Sequence, residues 1–373
     1  MEKTDILIMG GGIIGICASY FLSKKNVEVT LIEKGEIGKE ASTANVGTLA
    51  VQNKDIKAIP LAREGIKTWG ELQEELKENL EFHQSGGLRV TEDKPQLRLL
   101  HKAISVQKKS GLDIKFLARR ELHDFAPYLG PSVVGASFCA EDSRINPFQC
   151  FAALTKAAQK NGVKIYTHER VISIKIIQKD KYLIQTTKGQ YQTSCLVNCT
   201  GVWSKNIFKM INLDFPITLS PQQSMATERI PPLFPHIINH IKGKLSLKQV
   251  DSGNILIGGG WEGFGDLIRD IRNISYESLK GNIQYACQII PKLKSLNLIR
   301  CWIGSEGRSP DRLPLLGNLK HLPGFYTASC AKGGFTLGPA LAKITTDLII
   351  KGKSSLFLPH YDVNRYISSS KRQ

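Results

Sequence analysis

The chain lacks any apolar run approaching the ~18–20 residues that a membrane-spanning helix needs. Its hydrophobic residues, 42% of 373, are spread along the whole length. The stretch Met1 to Leu22 imitates a secretory leader but fails in detail. Its opening, Glu2-Lys3-Thr4-Asp5, holds two acids and one lysine, and Gly10, Gly11, Gly12 and Gly15 break the apolar part. That predicts a mature N-terminus and a cytoplasmic protein, with peripheral membrane association left open. Paired cysteines are also missing. The eight cysteines, at 17, 139, 150, 195, 199, 287, 301 and 330, form no Cys-x-x-Cys and no Cys/His metal spacing. The expectation is a reduced chain with no disulfide, no metal and no iron–sulfur cluster of its own.

Acids are in short supply, 33 against 50 lysines and arginines, for a net charge of +17. Such a balance can attract nucleic acid, an acidic membrane surface or an acidic partner. The lysines are scattered, with no arginine-rich helix and no basic stripe interleaved with aromatics, so nucleic acid is not expected. A merely lysine-rich surface and an acidic partner subunit both stay open. Internal repeats, low-complexity tracts and linkers are absent, as is any Ser-His-Asp or paired-carboxylate constellation. His83, behind Phe82 at a predicted strand start, reads as structural.

What is present starts at residue 5. Asp5-Ile6-Leu7-Ile8-Met9 is a short apolar strand, Gly10 to Gly15 a turn, Ile16 to Lys24 a helix, and 27–32 a second strand ending at Glu33. That is the length of a βαβ unit. Residues 41–53, rich in Gly, Ser, Thr and Asn, read as a loop, and 56–80 as a helix. Residues 88–90 read as a strand, 96–109 as a helix, 147–161 as another, and 163–166 as a strand. Alternating runs at 171–177 and 181–187 predict a hairpin. Residues 195–201 are a buried strand ending in a turn, 216–262 mostly strand, and 275–290 helix. A last helix is expected from Pro339, just past Gly338, because proline suits the first helical position.

Gly10-x-Gly12-x-x-Gly15 after a strand, opening a helix and answered by Glu33 23 residues on, is a dinucleotide fingerprint. Gly10 permits the turn, Gly12 the close approach of a phosphate, and Gly15 the packing of helix on strand. The pyrophosphate sits at the helix N-terminus, and Glu33 accepts ribose hydroxyls. Three later segments favour FAD over NAD. They are Glu40-Ala41-Ser42-Thr43-Ala44-Asn45-Val46-Gly47, Asn198-Cys199-Thr200-Gly201-Val202-Trp203-Ser204, and the glycine-rich Cys330 to Pro339 that leads into a helix. A helix N-terminus in the last segment could stabilise charge on a reduced flavin.

Together these residues resemble the D-amino-acid oxidase family of FAD-dependent oxidoreductases, over essentially the whole chain. The nearer likeness is to the flavoprotein β subunits of opine oxidases and hydrogen cyanide synthase. It rests on Asn45 to Lys54, Gly86-Gly87-Leu88-Arg89-Val90 and Trp302 to Gly307. The resemblance implies an α/β fold in which a Rossmann-like FAD-binding domain (1–85, 145–215, 305–373) interleaves with a β-rich α+β substrate domain (86–144, 216–304). It implies FAD held by Gly10, Gly12, Ile13, Ile14, Gly15, Glu33, Lys34, Ser42, Thr43 and Asn45. Val171 would lie near the adenine, and Thr200, Gly201 and Trp203 along the cofactor. Gly333, Gly334, Phe335, Thr336 and Leu337 would line the isoalloxazine.

The implied reaction oxidises a C–N bond of an amino acid, opine or secondary amine by hydride transfer to flavin N5, leaving an imine that water hydrolyses. Substrate-pocket candidates are Glu306, Arg308 and Lys332. Many family members clamp the substrate carboxylate with an arginine where this chain has Glu306, with Arg308 two residues later. The lysine that monomeric sarcosine oxidases place beside the flavin has no counterpart within Ile255-Leu256-Ile257-Gly258, and Lys248 and Lys332 are the alternatives. A flavin-binding electron-transfer or scaffold subunit with a vestigial pocket is the rival expectation.

Overall fold

Strands Ile6–Met9 and Val29–Ile32 are buried at every position, as strands covered on both faces of a parallel sheet must be. In the computed structural model, which describes residues 1–367 apart from 268 and 270, they sit at the centre of a six-stranded sheet. Its order is Leu315–Asn318, Phe325–Ser329, Cys195–Asn198, Ile6–Met9, Val29–Ile32, Lys164–Tyr166. All neighbours run parallel except the first pair. Helices Ile13–Ser23, Ile59–Leu76, Pro147–Lys160 and Gly334–Lys351 pack together on one side of it around a common core that includes Ile16, Leu22, Trp69, Leu154 and Leu341. This is the α/β dinucleotide-binding architecture expected from the fingerprint.

A second, eight-stranded sheet is largely antiparallel. Its order is Leu298–Arg308, Thr218–Arg229, Asn254–Gly258, Ser246–Gln249, Ile237–His240, Gly87–Thr91, Gly135–Cys139, Ile114–Ala118. Its apolar face, with Leu88, Val90, Ile238, Leu247 and Ile257, is covered by helix Tyr276–Ile289. A smaller sheet carries the hairpin Val171–Gln178/Lys181–Thr186, followed by Gln190–Thr193 across a turn at Lys188 and Gly189.

Three elements differ from the sequence-based expectation. The first helix begins at Ile13, directly after the turn. Residues 41–53 are not all loop, since Ala41–Ala44 forms a helical turn and Thr48–Leu49 pairs with Ser143–Arg144. The last helix begins at Gly334, so Pro339 lies inside it. Proline has no N–H for the carbonyl four residues earlier. That carbonyl, of Phe335, is taken instead by Trp69 Nε1 at 3.1 Å, with the two rings stacked 5.1 Å apart.

Candidate active site

Gly10 adopts φ +100°, and a Cβ there would lie 2.7 Å from the Cys199 carbonyl oxygen. A Cβ at Gly15 would collide with the Gly10 carbonyl. These two glycines therefore seat the first helix tightly on the turn, as the fingerprint requires. Glu33, 8% exposed, ends the next strand. Its Oε2 accepts the Gly11 N–H at 2.7 Å and its Oε1 the Gly35 N–H at 2.8 Å. The carboxylate thus shapes the turn while its remaining lone pairs are free for a ligand. Ser42 Oγ accepts the Ile13 N–H at 3.1 Å, and so joins the loop after Glu33 to the helix N-terminus.

The carboxyl ends of the parallel strands open onto one cavity of about 960 Å³, walled at Met9, Ile32, Cys199 and Ser329. This is where open α/β sheets take ligands. At its nucleotide-like end stand Gly10, Gly12, Ile13, Ile14, Glu33, Lys34, Ser42, Asn45 and Val171. Thr200, Gly201 and Trp203 follow, with Lys34 Nζ 3.8 Å from the centre of the Trp203 ring. Gly333, Gly334, Phe335 and Thr336 form the rim of the last helix. Three expected contacts lie behind the wall. Gly15 packs beneath the turn, the Thr43 N–H and hydroxyl both return to the Gly38 carbonyl at 3.0 Å, and Leu337 is in the core.

The cavity fits a flavin dinucleotide in volume and in the chemistry of its lining. A Cβ at Gly201 or Gly334 would meet nothing within 4 Å, so both glycines front open space. The first N–H groups of a helix lack partners within it, and those of Gly334 and Phe335 stand at the wall beside the left-handed N-cap Gly333. That N-cap is braced from both sides. Its N–H donates to Glu306 Oε1 at 3.1 Å, and a Cβ on it would collide with Lys54 Nζ. Behind it, a side chain on Gly65 would collide with the Thr336 carbonyl, which keeps helix Ile59–Leu76 close against this loop.

The three substrate-pocket candidates meet at the far end of the cavity, but in unequal states. Glu306 and Arg308 hold each other, with Arg308 Nε and Nη2 at 2.9 and 2.8 Å from Glu306 Oε2. Arg308 Nη1 also reaches Glu262 at 3.2 Å. Lys332 carries no ion pair among the described residues. Burial, together with the nearby Arg312, Arg308 and Arg89, holds its ammonium below the usual lysine range.

The sequence reading missed Lys54 and Arg89 as site residues, although both lie in stretches that carry the family resemblance. Lys54 is pushed down to about 8, first by burial and then by Lys332. Arg89 lines the same end, its basicity lowered by burial. The signal available in sequence was a lone arginine inside the apolar strand Gly87–Thr91. Four buried polar atoms on cavity-lining residues lack hydrogen-bond partners among the described residues: Asn53 Oδ1, Arg89 Nε, Asn239 Nδ2 and Ser305 Oγ. Buried polar groups are normally paired, so four orphans on the lining of one cavity mark it as the place of a polar ligand.

Two other residues fall outside the cavity wall. Lys248, 1% exposed, donates to the carbonyls of Ile145 at 2.7 Å and Gly47 at 3.1 Å, and burial brings it down to about 7. It supports the strand that follows Asn45. His83 sits on the surface beside Asp251 at 2.9 Å. Among the described residues no helix is long and apolar enough to cross a membrane.

Comparison with known proteins gives the same picture. Residues 5–348 match the family described as DAO, FAD dependent oxidoreductase. An opine oxidase subunit of Rhizobium meliloti is 24% identical over 98% of both chains. Dimethylglycine dehydrogenase of Rattus norvegicus is 23% identical over 98% of this chain but 45% of its own length, so the chain spans less than half of that relative. Among solved structures, L-proline dehydrogenase from P. horikoshii superposes with a TM-score of 0.88 at 28% identity, covering 99% of each chain.

Proposed function

The chain belongs to the DAO family of FAD-dependent oxidoreductases, and from that premise we propose that it oxidises the carbon–nitrogen bond of an amino acid or related amine to an imine, which water hydrolyses. The observation that carries this reading is the continuity of the cavity. One space joins the dinucleotide fingerprint to a buried end lined by Lys54, Arg89 and Lys332, and its lining carries four unpaired polar atoms. Bound FAD would supply the two-electron acceptor for the substrate's hydride. It would be held by the turn at Gly10 to Gly12, by Glu33, by Ser42 and by the 330–336 loop.

The protein's own contribution is positioning and proton handling. The substrate carbon must be held over the flavin in a site shielded from water, with the amine neutral. Lys54 Nζ, against Gly333 and without a hydrogen bond or ion pair among the described residues, is suited to take the ammonium proton. The first-turn N–H groups of the last helix favour negative charge beside them. Glu306, joined to Arg308 and Gly333, acts as a brace for that turn.

The test is anaerobic bleaching of the FAD-loaded chain by a panel of amino acids, opines and N-methyl amines. Bleaching by at least one member supports the reading. A yellow protein that none of them reduces would favour an electron-transfer subunit with a vestigial pocket.

For the electrons' onward path, the net charge of +17 and the likeness to a protein named as a subunit of an opine oxidase support an acidic partner. The isolated chain should then be reoxidised slowly by oxygen and quickly by an artificial dye. Hydrogen peroxide released as fast as the flavin is reduced would instead make it a self-sufficient oxidase.

A further inference from the structure

The alternation of strand Gly87–Thr91 sends Leu88 and Val90 into the core of the eight-stranded sheet and Arg89 to the opposite face, at the cavity. There the guanidinium is built in. Its Nη1 donates to the Gln52 carbonyl and its Nη2 to the Ile241 carbonyl, each at 3.3 Å. The Gln52 carbonyl is itself fixed, since Gln107 Nε2 donates to it at 2.7 Å. The Gln52 side chain is clamped by Asp142 Oδ2 at 2.8 Å and by the Ser137 hydroxyl at 2.7 Å. Gln52 and Asp142 are both fully buried.

This support orients Arg89 but gives it no ion pair among the described residues: the buried Asp142 carboxylate acts on it only at a distance, being bonded to the Val51 N–H and to Gln52. Arg89 Nε is one of the four orphaned atoms. Two neutral carbonyls do not compensate a guanidinium withdrawn from water, and a buried charge is retained where a counter-charge meets it. Of the two other arginines beside Lys332, Arg308 is already occupied by Glu306 and Glu262, and Arg312 is exposed to solvent.

We infer that Arg89, on a different strand from Glu306 and Arg308, is the residue that receives the substrate's carboxylate in this chain. This rests on the proposed amine-oxidising function. Asn239, directly opposite Arg89 on the neighbouring strand and with its Nδ2 unpaired, is a further donor to the carboxylate. Asn53 Oδ1 is the acceptor left for the substrate nitrogen. A bound carboxylate also relieves the mutual repulsion of Arg89, Lys332 and Lys54.

The experiment uses the FAD-loaded full chain and redox-inert carboxylates, acetate and propionate, titrated by calorimetry and by the change in flavin absorption. Arg89→Met should weaken binding at least about tenfold, the scale of a lost charge-assisted contact. Arg98→Met, an exposed arginine on helix Lys94–Lys109, should bind like the wild type. Should Arg89→Met shed its FAD, Arg89→Lys carries the test, because it keeps the charge but not the planar fork. A loss of about fivefold or more supports the receptor, and an unchanged Kd overturns it. Wild-type protein that binds neither carboxylate, or Arg89→Met that binds them normally, also overturns it. If no amine ever bleaches the flavin while carboxylate binding still depends on Arg89, the receptor stands and the amine-oxidation reading falls.

Discussion

Glu306 accepts the Gly333 N–H at 3.1 Å, tying the long strand Leu298–Arg308 to the N-cap of the last helix. With its second oxygen on Arg308, this carboxylate fixes the loop that faces the cavity. Glu306→Ala removes both contacts and leaves Arg308 with Glu262 alone. Holoprotein stability should fall by about 1–3 kcal/mol, and Glu306→Gln, which keeps an acceptor for Gly333, should lose less. Urea denaturation reads this directly. An alanine variant as stable as the wild type would show that the brace contributes nothing.

Glu33 is expected to matter to FAD in two ways, because it holds Gly11 and Gly35 as well as facing the cavity. Glu33→Ala should weaken FAD by at least about 1.5–3 kcal/mol, the range for bonds to a charged group. Gly12→Val should prevent retention altogether, since a Cβ there already lies 3.3 Å from Ser42 Oγ before any phosphate approaches. Fluorescence titration of the apoprotein with FAD measures both. Normal affinity in Glu33→Ala, or a stoichiometrically yellow Gly12→Val, would contradict the assignment.

The fingerprint was legible because its logic is local: strand, glycine turn, helix, strand and acid fall within 33 residues. The start of the last helix was misread for the opposite reason. Pro339 is a sound helix-opening signal, and it is tolerated in the interior because Trp69, far away in sequence, donates to the orphaned Phe335 carbonyl. Arg89 and Lys54 were visible as letters in shared motifs but not as site residues. Their setting depends on Ile241, Gln52 and Gly333, contacts that exist only once two sheets and the last helix have assembled. The pairing of Glu306 with Arg308, two residues apart on one strand, shows a different limit. Sequence could place both at the pocket, but not show that each occupies the other.

Lys54 gives the flavin-reduction rate a pH signature. Its ammonium is held down to about 8 by burial, so below that pH Nζ is protonated and above it can accept the substrate proton. The second-order rate of reduction at low substrate should therefore rise as pH passes upward through about 8. Lys54→Met should remove that limb and slow reduction by about a hundredfold, the usual scale of a lost general base. Stopped-flow pH profiles decide, and an unaltered limb in Lys54→Met would exclude the role.

Lys248 should make stability depend on pH. Burial lowers it to about 7 from an ordinary value of 10.5, so over that interval the unfolded chain binds more protons than the folded one. Stability then rises with pH from about 7 to about 10, by at most about 1.4 kcal/mol per pH unit from this group. Lys248→Met should lose that component of the slope in urea midpoints taken across the interval. Equal slopes in the two proteins would mean that the buried ammonium is neutralised in some other way.

The most direct measurement is a single anaerobic turnover of the FAD-loaded chain with an amino acid that bleaches it, in water carrying a heavy oxygen isotope. The account predicts one carbonyl product per flavin reduced, with the released nitrogen compound in equal amount and the carbonyl oxygen drawn from the water. Flavin reduction that leaves the carbon–nitrogen bond intact, or a product whose oxygen is not from water under conditions where exchange is slow, would contradict it.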